Sequence, residues 1–458
     1  MKRLHDIHSV YFLGIGGIGM SALARWFRAR GAQVSGYDRT PGAITRQLQE
    51  EGIAVHFEDD ATRVPVQPDL VVYTPAIPRD LHELVHVRSM GYWLLKRSEV
   101  LGMISSDMFT IAVAGTHGKT SVTSMIAWLL HATGKPVTAF IGGISRNFGS
   151  NLLLHPSAEV LVAEADEFDR SFLRLKPDIA VVTSVDADHL DIYGSRQELL
   201  DTYRTFARGV PSTGLLVHSA RVSGLQPSAT EVSYGEGEGC ECQYTGLVYE
   251  GDRMRFDLHF REHHMKGLIL SVPGRHNLEN ALAALAVCLQ LGVDPEALRL
   301  ALASYRGVER RFDYRIRRDD LIYIDDYAHH PEELLAFIQA VKELYPGRRL
   351  TGIFQPHLYS RTRDFADGFA RSLDLLDEPI LMDIYPAREQ PIPGVDSGMI
   401  LRRMRNPNKS VMTRTGILDR LSHAPLEVVL TMGAGDIDRL VPEIENILNS
   451  VSNLFPGS

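Results

Sequence analysis

Three cysteines in a chain of 458 residues are too few to build a disulfide framework. Cys240 and Cys242 form an isolated Cys-x-Cys among glycines, with no second pair beside it to complete a zinc site. Long apolar runs are missing as well, since none approaches the roughly 20 residues that a membrane-spanning helix needs. Lys2 and Arg3 precede a short apolar stretch that glycines interrupt, and no small-residue cleavage site follows, so no secretory leader is expected. Positive charge is in short supply. The 48 Lys and Arg against 57 Asp and Glu leave a formal charge of -9, and without a basic run nucleic acid is not an expected partner. What is present is a 44% hydrophobic composition, enough at this length for roughly two to four domains with their own cores. A multidomain cytoplasmic enzyme is expected.

The most informative stretch is Ile111-Ala-Val-Ala-Gly-Thr-His-Gly-Lys-Thr120. Its apolar run breaks at Gly115, and after Lys119 and Thr120 the apolar positions Val122, Ile126, Leu129 and Leu130 recur at helical spacing. Strand, glycine turn and helix together form a cradle in which backbone N–H groups and a helix N-terminus hold phosphate oxygens. Lys119 would reach the outer phosphates and the Thr120 hydroxyl would sit on Mg²⁺. Val113 stands where the usual pattern has its first glycine, so the loop is a shortened variant. Gly115, Thr116, His117, Gly118, Lys119, Thr120 and Ser121 are the expected ATP contacts.

A second glycine loop lies near the start, in Val10-Tyr-Phe-Leu-Gly-Ile-Gly-Gly-Ile-Gly-Met-Ser21. Gly14, Gly16 and Gly19 fit G-x-G-x-x-G, a helix is expected over residues 21–30, and Asp38 follows the next strand as a ribose-binding acid would. The pattern states that a diphosphate rests near Gly16, Gly17, Ile18 and Gly19, which NAD and a UDP-sugar satisfy equally. Thr74 ends a further strand and points toward the same crevice.

Downstream, Val160-Leu-Val-Ala-Glu-Ala-Asp-Glu-Phe-Asp169 is a buried strand with carboxylates at its end. A second strand over residues 179–184 leads into Asp186-Ala-Asp-His-Leu-Asp191. Beside a phosphate loop, two such strand ends suit a Mg²⁺ nucleotide site. Residues 142–150 read as a polar glycine-rich loop and residues 232–272 as an antiparallel edge of the same domain. Asn277, at a helix start, reads locally as an N-cap. In the last third, one strand ends in Asp325-Asp-Tyr-Ala-His-His-Pro331 and another in Gln355-Pro-His-Leu-Tyr-Ser-Arg361, so that His329 and Arg361 can share a pocket.

In this order the motifs resemble those of the Mur ligases of peptidoglycan synthesis over nearly the full length. The resemblance implies an α/β protein of three domains. These are a Rossmann-like N-terminal domain for the UDP-sugar over residues 1–106, a central P-loop ATPase-like domain with a mostly parallel sheet over 107–312, and a Rossmann-like C-terminal domain for the amino acid over 313–458. It also implies that the first glycine loop holds UDP and not NAD, and that Glu164 and His189 join Thr120 as metal ligands. Asn277 would contact adenine and Asp326 ribose. Lys119, together with Mg²⁺ and either Arg310 or Arg311, would neutralise phosphate charge, and His329 and Arg361 would line the amino-acid pocket. The implied reaction joins L-alanine to the lactyl carboxylate of UDP-N-acetylmuramate with ATP and Mg²⁺. Recycling of a murein tripeptide onto the same sugar nucleotide is the alternative, and a monomer or weak homodimer is expected. Two departures from the family pattern stand out. Leu358 replaces the first arginine of the Pro-His-Arg-Tyr-Thr-Arg pattern, which leaves Arg361 alone to supply charge, and no lysine between Lys176 and Lys266 could serve as the carbamylated lysine of other branches.

Overall fold

Short apolar strands alternating with amphipathic helices should stack as parallel sheets with helices on both faces, and the computed structural model has that architecture. It describes residues 4–186, 193–237, 239–387, 389–423 and 425–451. The chain divides into two units, one of Met1–Val248, Arg255–Leu270 and Glu279–Arg306, the other of Tyr249–Met254, Ser271–Leu278 and Gly307–Ser458.

The first unit holds two sheets. Strands β1 (Ser9–Leu13), β2 (Gln33–Tyr37), β3 (Ala54–His56), β4 (Leu70–Tyr73) and β5 (Leu94–Lys96) form a parallel sheet in the order β3-β2-β1-β4-β5. The order reverses at β1, which opens a crevice at the carboxyl end of that strand. Gly14 follows there with φ +86°, and the amides of Gly14 and Ile15 donate to Tyr37 O at 2.8 and 3.0 Å. The helix then runs over Ile18–Ala29, starting earlier than its apolar spacing indicates because Gly17 is its N-cap.

The second sheet has ten strands in the order β15-β14-β13-β12-β11-β10-β6-β9-β7-β8. They are β6 (Phe109–Ala114), β7 (Val137–Ser145), β8 (Ser150–Leu153), β9 (Val160–Glu164), β10 (Ile179–Val182), β11 (Leu215–Ser219), β12 (Thr230–Glu236), β13 (Cys242–Glu250), β14 (Arg253–Phe260) and β15 (His263–Leu270). The parallel centre β10-β6-β9-β7 is buried on both faces, which is why these strands read as continuous apolar runs. Two expectations are corrected. The polar glycine stretch after residue 141 is no free loop, because β7 continues through it and pairs antiparallel with β8 in a hairpin. The region after residue 230 is not purely antiparallel: β12 pairs parallel with β11, and β13 parallel with β12.

That hairpin ties the two sheets of the first unit together. Asn151 is fully buried, and its amide donates to Ile18 O at 2.5 Å and to Ser21 Oγ at 2.9 Å on the first-turn side of the helix Ile18–Ala29. Its carbonyl accepts from Arg25 at 2.6 Å.

The second unit carries β16 (Asp313–Arg317), β17 (Ile322–Asp326), β18 (Leu350–Phe354), β19 (Glu378–Leu381), β20 (Ser410–Val411) and β21 (Val428–Met432), in the order β16-β17-β21-β18-β19-β20. All neighbours are parallel except β16 with β17. The last strand in sequence, β21, inserts between β17 and β18, so the strand ends bearing His329 and Arg361 are separated by one strand.

Replacing Asn151 by Ala should remove buried hydrogen bonds and leave their partners unsatisfied, at a cost of about 1–3 kcal/mol. Thermal unfolding should register the loss, and amide exchange should localise it to the helix Ile18–Ala29.

Candidate active site

The glycine loop after β6 is shaped by close approaches that only glycine permits. At Gly115, φ is +134° and a Cβ would lie 2.0 Å from Thr183 Oγ1 at the end of β10. Gly118, in the left-handed region, is the N-cap of the helix Lys119–Ala132, and a Cβ there would lie 2.6 Å from Asn280 Oδ1. The loop is tied down further by Thr116, whose hydroxyl donates to Asp186 O at 3.1 Å, and by the His117 amide, which donates to Ser184 Oγ at 2.9 Å. Ser121 is buried in the first turn, and Tyr305 donates to its carbonyl at 3.5 Å.

Lys119 and Thr120 begin the helix and meet the acids at the end of β9. Thr120 Oγ1 donates to the two oxygens of Glu164 at 3.0 and 3.1 Å. A Cβ on Gly142 would lie 2.0 Å from Glu164 Oε2, so the carboxylate occupies space that β7 leaves open only because residue 142 is glycine. The donor set is all oxygen, a hydroxyl beside a carboxylate, which suits the hard, oxygen-seeking Mg²⁺. His189, the third expected ligand, lies outside the described residues. The Lys119 ammonium donates to Gly115 O at 2.7 Å and to both oxygens of Glu167 at 2.8 and 3.0 Å. Burial by itself would lower its pKa, but the charges of Glu167, Asp166 and Glu164 outweigh that and hold it at about 12.

At the first glycine loop, the amide of Gly16 donates to Asp38 Oδ2 at 2.8 Å, and a Cβ on Gly16 would lie 2.8 Å from that oxygen. Thr74 packs on the loop, its methyl 2.9 Å from where a Gly14 Cβ would stand. The helix N-terminus at Gly17 carries no side-chain cap and no acid in its first turn. Arg97 reaches it from the helix after β5, its guanidinium 2.7 Å from a Gly19 Cβ position, and pairs with Asp166 at 3.5 Å. Nothing in the local pattern around Arg97 marked it.

In the second unit, Asp326 is buried and accepts from the amides of Phe312 at 2.7 Å and Ala328 at 2.8 Å. Burial raises its pKa to about 7 against the pull of Arg311 and those amides. Arg310 donates to Asp325 at 2.9 Å and to Gly433 O at 2.7 Å. Asn277 falls in the third position of the helix Arg275–Gln290, and its amide donates back to Pro273 O at 2.8 Å, so the simple N-cap reading does not hold. His329 Nδ1 donates to Tyr327 O at 2.9 Å and lies 3.2 Å from Glu333, which leaves Nε2 as the acceptor nitrogen. Its ring stands 6.0 Å from that of His357, to whose Nδ1 Arg361 donates at 3.4 Å. The structure thus gathers His329 and Arg361 in one cluster, with His357 between them. Leu358 is the N-cap of the helix Tyr359–Leu373, with φ +71°, a conformation rare for a branched aliphatic residue.

Three family models cover this chain in sequence. The Mur ligase family, catalytic domain, matches residues 9–108; the Mur ligase middle domain matches 113–288; and the Mur ligase, glutamate ligase domain, matches 310–435. The chain belongs to the Mur ligase family. Its three α/β domains correspond to the N-terminal, middle and C-terminal domains of that family. It is 47% identical over 453 residues to a UDP-N-acetylmuramate–L-alanine ligase of Flavobacterium johnsoniae, covering 98% of this chain and 99% of the relative. A ligase of the same name from Porphyromonas gingivalis is 47% identical over 452 residues, covering 96% and 99%. Among solved structures, the UDP-N-acetylmuramate–alanine ligase of Thermotoga maritima superposes with a TM-score of 0.83 at 28% identity, over 96% of this chain and 99% of that one. A murein peptide ligase of Psychrobacter arcticus shares the fold, with a TM-score of 0.71 at 23% identity over 98% and 99%.

Sequence reading of this Mur ligase passed over Glu167, Gly142, Asn280 and Glu333, although Glu167 stands in a motif that it singled out. The missing information was spatial, because each matters only through what lies opposite it.

Two buried histidines of the second unit, His276 and His329, carry a pH signature. Burial lowers the pKa of His329 to about 3 and that of His276 to about 4, so the unfolded chain binds more protons between those values and about 6.5. Their neutral, packed forms therefore contribute stability that is complete above about pH 6.5 and lost as the pH falls through about 4 for His276 and about 3 for His329. Asp326 opposes this, since its raised pKa favours the folded state at the acid end. Thermal unfolding at pH 4.5 and 7.5 should show a smaller gap in His329→Gln than in the unaltered chain.

Proposed function

We propose that this chain ligates L-alanine to the lactyl carboxylate of UDP-N-acetylmuramate with cleavage of ATP to ADP and phosphate. The observation that carries this reading is the convergence of Lys119, Thr120 and Glu164 on one glycine loop, in a chain similar over nearly its full length to relatives with that activity in their names. In the reaction, a lactyl carboxylate oxygen attacks the γ-phosphorus of ATP, the bond to ADP breaks, and an acyl phosphate forms. The amine of L-alanine then attacks the acyl carbon and loses a proton, and the carbon–oxygen bond to phosphate breaks.

The residues divide this work between them. The glycine loop and the first-turn amides of the helix Lys119–Ala132 cradle the phosphates, and Lys119 places a fixed charge where negative charge develops during transfer. Thr120 and Glu164 would hold Mg²⁺, with His189 a further candidate; the ion, when bound, neutralises phosphate oxygens. Gly16, Gly17, Ile18 and Gly19 receive the UDP diphosphate at an uncapped helix N-terminus, with Asp38 and Thr74 at its edges. In the second unit Asn277 and Asp326 are the candidate adenine and ribose contacts, and Arg310 a candidate phosphate contact. Asp326 acts there through the backbone that it pins at Phe312 and Ala328 as much as through a ligand. Arg361 takes the alanine carboxylate as a bidentate partner, and His329 presents Nε2 to the amine.

Phosphate release with UDP-N-acetylmuramate, ATP and each candidate amino acid or peptide tests the whole reading. Release that requires L-alanine supports it, and release that requires murein tripeptide instead would reassign the substrate. Lys119→Ala should abolish turnover, a loss of at least about 3 kcal/mol in transition-state stabilisation, while the variant still folds. Near-normal kcat in that variant would sink the ATP site. Arg361→Lys should lose roughly tenfold or more in kcat/KM for L-alanine, because an ammonium cannot make the two parallel bonds of a guanidinium. KM for ATP and for the UDP-sugar should be spared.

A further inference from the structure

The carboxylates at and after the end of β9 each face a basic or hydroxyl group. Glu164 faces Thr120 at 3.0 Å, Asp166 faces Arg97 at 3.5 Å, Glu167 faces Lys119 at 2.8 Å, and Asp169 faces Lys96 at 3.0 Å. The Glu167 pair differs from the rest in its burial. The Glu167 side chain is 3% exposed and that of Lys119 14%, whereas Asp166 and Asp169 stand in solvent at 41% and 46%. Glu167 is also held from behind, since Tyr193 donates its hydroxyl to the Glu167 carbonyl at 2.5 Å. An ammonium has three N–H donors, and here they are matched by Gly115 O at 2.7 Å and the two Glu167 oxygens at 2.8 and 3.0 Å. Thr116 O lies farther off, at 3.4 Å. A phosphate oxygen can therefore gain a hydrogen bond from Lys119 only by taking over a donor that one of these acceptors holds.

We propose that Glu167 is the exchange partner of Lys119, a positioning residue that holds the ammonium at the glycine loop and yields part of it to the nucleotide phosphates. Nothing else in the loop offers so ready an exchange. The Gly115 carbonyl is part of a backbone turn that cannot retreat without rebuilding the approach to Thr183, whereas a carboxylate side chain can release one oxygen and keep the other. The inference rests on the ATP-site reading above. Its consequence is that the pair competes with nucleotide: part of the attraction between Lys119 and phosphate is offset by what Lys119 gives up. Removing the competing charge should tighten nucleotide binding, a direction opposite to that of simple structural damage.

The test is calorimetric titration of ATP, with Mg²⁺ present, into the full-length chain and four variants. Glu167→Gln keeps the shape and removes the charge, and its Kd for ATP should fall threefold or more. Glu167→Asp keeps the charge but draws it back from Nζ by one carbon, so it should change in the same direction by less, and it serves alone if the Gln variant does not fold. Lys119→Met and the double variant Lys119→Met/Glu167→Gln close the cycle, and the gain should vanish in that background because the competition runs through Lys119. An equal gain with and without Lys119 would show direct repulsion between Glu167 and phosphate and would overturn the exchange. Unchanged or weaker binding in both Glu167 variants would overturn it too, leaving Glu167 a structural acid. Failure of the unaltered chain to bind ATP would instead refute the ATP site itself.

Discussion

The parallel register of β6 between β9 and β10 is the constraint on which the rest of the first unit depends. It sets Val113 opposite Glu164 on one side and Ala114 opposite Val182 on the other. Because both neighbours end level with β6, their first polar residues fall beside the glycine loop that follows it. Thr183 and Ser184 then close on the loop from one flank, and Glu164 and Glu167 on the other. A slip of one residue would turn Glu164 to the opposite face of the sheet and separate the hydroxyl of Thr120 from its carboxylate.

The cost of this arrangement is a concentration of charge in a poorly hydrated place, and the structure meets it by pairing. Lys119 stays charged although burial disfavours it, because carboxylates surround it. The carboxylates tolerate burial because a cation and a hydroxyl face them. An ion pair of this kind contributes little to stability by itself, since desolvation consumes most of its attraction. The function proposed above accounts for its place, because a charge aimed in advance would need no reorganisation when a phosphoryl group moves. The second unit uses the contrary device: His276 and His329 are kept neutral by burial, and Glu333 and the Tyr327 carbonyl orient the His329 ring.

Glycine marks the places where backbone and side chain come closest. At Gly142 it admits the Glu164 carboxylate, and at Gly115 it admits Thr183. In both cases the glycine and the residue that needs it lie far apart in the chain, so the requirement is invisible locally. That is also why residues 142–150 read as an ordinary polar loop when they in fact continue β7 into a hairpin.

Several features were legible in the sequence alone. Apolar runs ending in glycine announced β1 and β6, helical spacing announced the helices that follow, and Lys119 and Thr120 stood out because their chemistry has no structural need to follow a glycine turn, whereas Glu164 was singled out as a metal ligand only through the family resemblance. Local pattern sufficed there because strand, turn and helix are neighbours in the chain, and phosphate binding is built on that one unit. The tertiary structure decided what crosses between elements. It placed β21 between the strands that carry His329 and Arg361, committed both Asp326 oxygens to backbone amides, turned Asn277 back onto Pro273, and set Glu167 against Lys119. The physical reason is the same in each case. A buried polar group must find its partner wherever packing provides one, and sequence spacing does not record which distant residue packing will bring.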